Sequence, residues 1–233
     1  NSPCNPTGVT YPPDAIRELA EVVMNHSSAV LISDEIYEDL IYPEIDPAAA
    51  AFSPASIPEF RDRTVTVNGL SKSMAMTGWR IGWICAPGFD GVLAKAVTRL
   101  QSHMTSGIPG FCMQAAQVAI EHQADESSRM RSVFAERAKL VHELLSEIPR
   151  FRCVPPTGAF YAFPDVSGCF GLKGSDGATI ENAGGFAEAL LEAVGVAVVP
   201  GDDFGEVATR NVRISFATDE CTIREGIERI RKW

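Results

Sequence analysis

Residues 68–82, which read N-G-L-S-K-S-M-A-M-T-G-W-R-I-G, constrain this chain more than any other stretch because they hold Lys72 and Arg80 between two apolar runs. A β-branched run at residues 64–67 precedes the stretch and an apolar run at residues 81–86 follows it, so both are predicted strands. Lys72 is therefore predicted to lie in a loop just past a strand end, where open α/β sheets bind ligands. On these residues alone, however, a solvated surface lysine beside an ordinary turn is the better explanation.

The composition is that of a globular protein. The 233 residues are 45% hydrophobic and 21% charged, which is enough for a packed core in one large domain or two smaller ones. A net charge of −10 argues against nucleic acid or an anionic membrane as a partner of the whole surface, although it leaves room for a local basic pocket. No apolar run is long enough to span a bilayer and no charged-then-apolar leader is present, so we expect a soluble, cytoplasmic protein.

The cysteines and histidines do not suggest a metal site. The six cysteines lie far apart without a C-x-x-C pair, and the four histidines do not cluster. Neither a zinc site nor a disulfide framework is therefore predicted, and no metal is expected. This pattern suits a reducing cytoplasm.

Apolar periodicity predicts alternating helices and strands in the first part of the chain. The predicted helices cover residues 14–26, 90–103 and 111–122, and the predicted strands cover residues 29–33, 64–67 and 81–86. The strand at residues 29–33 ends directly before Asp34, with Tyr37 close behind. Its carboxyl end should therefore deliver an acid and a phenol.

A long helix is predicted at residues 125–148, and we place a domain boundary within it, between residues 1–130 and residues 131–233. Beyond it, strands are predicted at residues 151–154, 159–163, 196–199 and 212–216, and helices at residues 186–193 and through Ile223, Ile227 and Ile230. A Gly-rich loop at residues 168–177 lacks the strand and helix context of a phosphate-binding loop. This second part is predicted to form a small α+β unit.

The chain contains the residue types that a lysine-bound pyridoxal phosphate needs. That cofactor requires a lysine for the Schiff base, an acid that keeps the pyridine nitrogen protonated, donors to the ring hydroxyl, and cations for the phosphate. An arginine should bind the substrate carboxylate. The matching residues are Lys72, Asp34, Tyr37, Asn5, Arg80 and Arg213. Taken singly, each has a plain structural explanation, such as a helix cap, a core aromatic, a turn residue or a surface arginine.

Taken together, the motifs of the chain resemble the class I/II aminotransferases. They are N-P-T-G at residues 5–8, D-E-I-Y at 34–37, S-K-S-M-A-M-T-G-W-R-I-G at 71–82 and V-R-I-S-F-A at 212–217, with P-T-G-A-F-Y-A-F-P at 156–164 resembling a small-domain strand. The resemblance implies fold type I of the pyridoxal-phosphate enzymes, the aspartate aminotransferase superfamily. It implies an α/β fold, with the C-terminal half of a large domain on a mixed, mostly parallel sheet and a C-terminal α+β small domain.

By matching position, the resemblance implies a catalytic set of Lys72, Asp34 and Tyr37. Lys72 would be the Schiff-base lysine, whose freed amine moves a proton from the Cα of the substrate. Asp34 would be the partner of the pyridine nitrogen, and Tyr37 would bond the ring hydroxyl. The implied cofactor is pyridoxal 5'-phosphate.

The resemblance gives three further residues binding roles. Asn5 would bond the cofactor's ring hydroxyl and also contact the substrate, Arg80 would bind the phosphate, and Arg213 would bind the substrate α-carboxylate. Many relatives carry a hydroxyl three residues before the lysine, but this chain has Gly69 there. Phosphate binding should therefore depend on Arg80 and on groups elsewhere.

The implied activity is transfer of an amino group from an α-amino acid to a 2-oxo acid, by a cytoplasmic homodimer of amino acid metabolism. A lyase or synthase on the same scaffold uses the same lysine and acid and stays open, although A-M-T-G-W-R favours transamination by resemblance. An aminotransferase-like effector domain of a transcription regulator also stays open, as does a truncated domain without activity. The effector domain would need a helix-turn-helix segment upstream.

The beginning of the chain resembles the middle of a larger fold. It opens at Asn1 without a methionine and enters a Pro/Gly-rich loop at once, whereas members of the resembled family begin well upstream of N-P-T-G. We therefore expect the C-terminal portion of an enzyme, inactive by itself. The upstream residues of relatives supply a phosphate-cradling turn, a stacking aromatic and much of the dimer contact.

Overall fold

The computed structural model describes residues 1–175 and 177–233, which divide into two compact units. Unit 1 comprises residues 1–3 and 10–132, and unit 2 comprises residues 4–9 and 133–233. The division therefore falls within a long helix, Gln123–Ser146, and the loop at residues 4–9 groups with the later part of the chain. Asp176, which falls in the predicted Gly-rich loop, lies outside the described residues.

Unit 1 is built of helices around a three-stranded sheet. Its elements are α1 (Pro13–His26), β1 (Leu31–Asp34), α2 (Pro58–Arg61), β2 (Thr64–Gly69), α3 (Leu70–Ser73), β3 (Gly82–Cys85), α4 (Val92–Met104), α5 (Gly110–Glu121) and the first part of α6 (Gln123–Ser146). The predicted helices and strands of this part are confirmed to within a few residues at their ends. None of the described helices is both long and apolar enough to cross a membrane.

The sheet of unit 1 is mixed, with the strand order β1-β2-β3. β1 runs parallel to β2, with Leu31 opposite Thr64 and Asp34 opposite Val67. β3 runs antiparallel to β2. Because the carboxyl ends of parallel strands meet at one edge of a sheet, the residues that follow β1 and those that follow β2 lie at the same edge.

The predicted loop at Lys72 is wrong, because the residue lies in α3, a single helical turn directly after β2. The backbone amides of Met74 and Met76 both donate to the carbonyl oxygen of Leu70, at 3.3 and 3.2 Å. The Leu70 side chain is fully buried in an apolar cluster with Ile81 and residues of α5. Burial of Leu70 thus turns the chain at this point, and Lys72 stays at the strand end as predicted.

Gly69, the last residue of β2, has no room for a side chain. A Cβ at this position would lie 2.7 Å from the carbonyl oxygen of Ile81 and 2.9 Å from the Cα of Gly82, both backbone atoms of the neighbouring strand segment. The replacement Gly69→Ala is therefore expected to lower the free energy of unfolding by about 1–3 kcal/mol, since the backbone must shift to admit the methyl group.

Chemical denaturation of the intact protein measures this loss, and Gly78→Ala is the matched control because no atom lies within 4 Å of a Cβ there. Equal midpoints for Gly69→Ala and the wild type would contradict the prediction. The close packing of backbone atoms at Gly69 also gives a physical reason why this position, three residues before Lys72, has no hydroxyl side chain.

Unit 2 contains a small antiparallel sheet, in the order β4-β6-β5, together with helices. Its elements are the second part of α6, β4 (Tyr161–Ala162), α7 (Ala183–Val194), β5 (Val199–Pro200), β6 (Val212–Ser215) and α8 (Glu220–Lys232). Its core contains the fully buried side chains of Val141, Leu145, Phe186, Leu190, Val212 and Phe216. Asn182 and Asp219 cap α7 and α8 by accepting hydrogen bonds from the backbone, as polar N-cap residues do.

Three predicted strands of unit 2 are wrong in extent. The strand predicted at residues 159–163 is only the two-residue β4. Residues 151–154 form only an isolated bridge, between Arg152 and Asp165, because Pro155 and Pro156 follow at once and have no amide hydrogen for a ladder. The strand predicted at residues 196–199 is the two-residue β5, which begins only at Val199. The central strand β6 agrees with the prediction except at its last residue.

Candidate active site

In unit 1, Asp34 and Tyr37 leave the carboxyl end of β1 within one tight turn. Asp34 is the last residue of the strand, is half-buried, and accepts a hydrogen bond from the backbone amide of Ile36 through Oδ1 at 3.2 Å. The amide of Glu38 donates to the carbonyl oxygen of Glu35 at 3.0 Å and closes the turn. Tyr37 lies inside this turn with only 4% of its surface exposed. The acid and the phenol are thus held by the backbone at the strand end.

Lys72 reaches the same edge of the sheet from β2. It is half-buried in α3, and its Nζ lies 5.8 Å from the centroid of the Tyr37 ring. A cation within about 6 Å of an aromatic face is attracted by the ring quadrupole. The structure therefore brings together two members of the predicted catalytic set, each positioned by the end of a parallel strand.

Arg80 occupies a different setting within unit 1. It is exposed, has a left-handed backbone conformation with φ of 56°, and donates from Nη1 to the carbonyl oxygen of Thr77 at 2.6 Å. It lines an open cleft of about 920 Å³ whose other walls include Trp79, Gln101 and Phe111. The guanidinium is thus positioned by the turn that precedes β3 and is accessible to an anion.

In unit 2, Arg213 and Asn5 contact each other although 208 positions separate them in the chain. Nη1 of Arg213 donates to Oδ1 of Asn5 at 2.8 Å. The guanidinium carbon lies 4.7 Å from the centroid of the Tyr161 ring and 5.0 Å from that of Phe204. The Nε atom of Arg213 is buried and has no hydrogen-bond partner among the described residues. The guanidinium is therefore held in place while one donor still has hydrogen-bonding capacity.

The loop that carries Asn5 is fixed by Gly8. This glycine has φ of +70°, and a Cβ on it would lie 2.1 Å from the carbonyl oxygen of Tyr161, so only glycine fits. Its own carbonyl oxygen accepts from the amides of Thr157 and Gly158 at 2.8 and 2.9 Å. The N-P-T-G and P-T-G-A-F-Y motifs thus pack directly against each other, which explains why the first motif ends in a glycine.

Several residues that shape these contacts are not predicted from the sequence. Tyr161 and Phe204 flank Arg213, and Glu38 and Asn68 join the segments that carry Tyr37 and Lys72. Tyr161 lies in a motif that resembles the aminotransferases, which could have drawn attention to it. No local signal marks the others.

The donor set suits pyridoxal phosphate better than a metal ion. An amine, a carboxylate, a phenol and a guanidinium are the groups that this cofactor requires. Within residues 1–175 and 177–233, no group of three histidine, cysteine, aspartate or glutamate side chains is arranged to hold a metal ion. The six cysteines are free thiols in this structure.

Comparison with known proteins agrees with this chemistry. The family model of aminotransferase class I and II matches residues 1–230, and the chain belongs to that family. It is 40% identical to an aspartate/prephenate aminotransferase of Cereibacter sphaeroides, with 99% of this chain and 56% of the relative covered. It is 39% identical to an aspartate aminotransferase of Geobacillus stearothermophilus, over 100% of this chain and 56% of the relative.

The fold of this chain also agrees with that of solved aminotransferases. The solved aspartate aminotransferase of Rhizobium meliloti superposes with a TM-score of 0.88 at 38% identity, over 100% of this chain and 56% of that chain. The Thermus thermophilus aspartate aminotransferase with maleate gives a TM-score of 0.84 at 36% identity, over 100% of this chain and 55% of that chain. The predicted family and the fold type I architecture are therefore confirmed, and the chain spans about half the length of the relatives that it matches.

Proposed function

We propose that this chain is part of a pyridoxal-phosphate-dependent aminotransferase that moves an amino group from an α-amino acid to a 2-oxo acid. The observation that carries the proposal is that Lys72 Nζ lies 5.8 Å from the centroid of the Tyr37 ring. Both lie at the sheet edge where β1 ends in Asp34. Both curated relatives described above are named for aspartate, so aspartate is the first amino donor to test. The proposal includes a cytoplasmic homodimer acting in amino acid metabolism.

We further propose that unit 1 corresponds to the later half of the large domain of the family and unit 2 to its small domain. Unit 1 contains the mixed sheet with Asp34, Tyr37, Lys72 and Arg80. Unit 2 contains the small antiparallel sheet with Arg213 and the loop of Asn5. Each unit thus contains its own set of candidate ligand-binding groups.

The residues of unit 1 suit the cofactor's reactive groups. Lys72 would bind its aldehyde carbon, Asp34 its pyridine nitrogen and Tyr37 its ring hydroxyl, while Arg80 would bind its phosphate dianion. When bound, pyridoxal phosphate supplies an electron sink for the charge that develops at the substrate's Cα. The exposed position of Arg80 leaves its guanidinium free to meet the phosphate from solvent.

Lys72 is the group that would move the proton. Its Nζ, when uncharged, takes the proton from the Cα of the bound amino acid as a general base and returns a proton as a general acid. The Tyr37 ring centroid lies 5.8 Å from Nζ, within the distance at which an aromatic face attracts a cation, so the ring would help to hold the amine in position. Burial of Tyr37 and the closed turn keep this pair in a defined geometry.

Arg213 is the group that would bind the substrate carboxylate, with Asn5 beside it. A planar guanidinium offers two parallel donors to a carboxylate. Here the hydrogen bond to Asn5 and the two aromatic faces fix the plane of the guanidinium before a ligand arrives. Such preorganisation reduces the loss of side-chain entropy that accompanies binding.

Borohydride trapping tests the proposal directly. The intact protein is incubated with pyridoxal phosphate, reduced with borohydride and digested, and the adduct is located by peptide mapping. We expect one pyridoxyl group on Lys72, with the exposed Lys95 of α4 as the internal control that stays unmodified. An adduct spread over surface lysines, or absent from Lys72, would show that this residue does not bind the cofactor.

A further inference from the structure

A polar side-chain contact joins the two segments that carry Tyr37 and Lys72. Nδ2 of Asn68 donates to Oε1 of Glu38, which lies one residue beyond Tyr37. Oδ1 of Asn68 accepts from the backbone amide of Gly69 at 2.7 Å. The two ends of the Asn68 amide are thus both satisfied, and exchanging them would set the NH₂ group against a donor and the oxygen against a carboxylate.

The backbone ties the same two segments at a second point. The amide of Glu35 donates to the carbonyl oxygen of Val67 at 2.9 Å, which continues the pairing of β1 with β2 beyond Asp34. Tyr37 therefore lies between two hydrogen bonds to the β2 segment, a backbone bond at Glu35 and a side-chain bond at Glu38. On β2, the partners in these bonds are Val67 and Asn68, which come shortly before α3.

The hydrogen bond from Asn68 stabilises the charged form of Glu38 against the effect of its other surroundings. Burial raises the pKa of the Glu38 carboxyl, the Asn68 hydrogen bond opposes that shift, and the carboxylates of Glu35 and Asp39 add to the increase. Asn68 thus supplies a stabilising donor to an acid whose other neighbours disfavour its charge. A charge-assisted hydrogen bond in a half-buried setting is both stronger and more directional than a neutral one.

We propose that Glu38 and Asn68 are positioning residues that hold Tyr37 and Lys72 in fixed register. This rests on the proposed function, because Tyr37 and Lys72 have catalytic roles only there. Neither Glu38 nor Asn68 needs to contact a ligand. Glu38 fixes the end of the Tyr37 turn, and Asn68 fixes the backbone amide of Gly69, the residue directly before α3. Small misplacements of reacting groups cost far more in rate than in stability.

A donor–acceptor exchange in the intact enzyme tests the proposal. The single variant Asn68→Asp sets two carboxylates against each other while keeping an acceptor for the Gly69 amide. Adding Glu38→Gln restores a hydrogen bond between the same two positions, with donor and acceptor exchanged. We expect kcat to fall about 10–100-fold in the single variant, with KM for the amino donor nearly unchanged. The double variant should recover most of the loss.

Hydrogen exchange of the protein without cofactor supplies a readout apart from activity. Peptides covering residues 35–42 and 68–74 should exchange faster in Asn68→Asp and return towards the wild-type rate in the double variant. Glu44→Gln, at an exposed acid beyond the turn, is the matched control and should change neither exchange nor kcat. A wild-type kcat in Asn68→Asp, or a double variant no better than the single one, would overturn the proposal.

If the proposed function is wrong, the experiments give a different result. The wild type itself then shows no transamination and no adduct on Lys72, and both proposals are overturned together. An active, labelled wild type with unaffected variants overturns only the positioning role. A lowered melting temperature at unchanged kcat does so as well, because it marks a purely structural contact.

Discussion

Replacing Lys72 by arginine is expected to lower kcat for transamination by at least about 10²–10⁴-fold, the range that a positioned general acid–base group contributes. Arginine keeps the positive charge and can keep the contact with the Tyr37 ring, which Lys72 makes at 5.8 Å. A guanidinium stays protonated at any working pH and cannot take a proton from Cα. The variant therefore separates the proton-moving role of the amine from the attraction of its charge to the ring.

Steady-state rates with aspartate and a 2-oxo acid measure this loss in the intact enzyme. The matched control is Lys95→Arg, at an exposed lysine of α4, which should retain the wild-type rate. The melting temperature of Lys72→Arg should stay close to that of the wild type, since the side chain is only half-buried. A Lys72→Arg enzyme that keeps a large part of the wild-type kcat would exclude Lys72 as the catalytic base.

The sequence predicts the framework of unit 1 because its signals are local. The apolar runs at residues 29–33 and 64–67 are short and β-branched, and the structure has parallel strands there, with Asp34 closing the first. The strand-end position of Lys72 follows from the same pattern. The helical turn α3 does not, because four residues are too few to show a 3.6-residue period and the turn depends on burial of Leu70.

The contacts of the candidate site are mostly non-local, which is why periodicity does not reveal them. Asn5 and Arg213 meet across 208 positions, and Glu38 meets Asn68 across 30. The motif resemblance assigned roles to Asn5 and Arg213, but it did not indicate that they bond to each other. It also gave no role to Phe204, which packs on Arg213 from a segment of 3₁₀ helix.

The short strands of unit 2 show a further limit of pattern reasoning. β4 and β5 have two residues each, so alternation of apolar and polar side chains has no length over which to appear. The apolar run at residues 196–199 predicts a longer strand than the one that forms at its end. Tertiary pairing with β6, in which Val199 lies opposite Arg213, decides where that strand begins.

Replacing Arg213 by lysine is expected to raise KM for the amino donor about 10–100-fold, since hydrogen bonds to a charged group contribute about 1.5–3 kcal/mol. Lysine keeps the charge but loses the planar fork, the bond to Asn5 Oδ1 at 2.8 Å, and the stacking on Tyr161 and Phe204. The buried Nε, which has no partner among the described residues, is also removed. The effect should fall mainly on KM, because carboxylate binding is shared by the ground state and the transition state.

Two comparisons decide whether Arg213 binds substrate or only supports unit 2. Arg210→Lys, at an exposed arginine that pairs with Asp165 at 3.2 Å, should leave KM unchanged, since a surface ion pair contributes little. A competitive dicarboxylate inhibitor should weaken in parallel with the substrate in Arg213→Lys, because both would depend on the same fork. If Arg213→Lys lowers the melting temperature while KM and inhibition stay at wild-type values, the arginine is a structural cation held between Tyr161 and Phe204, and the substrate carboxylate is bound elsewhere.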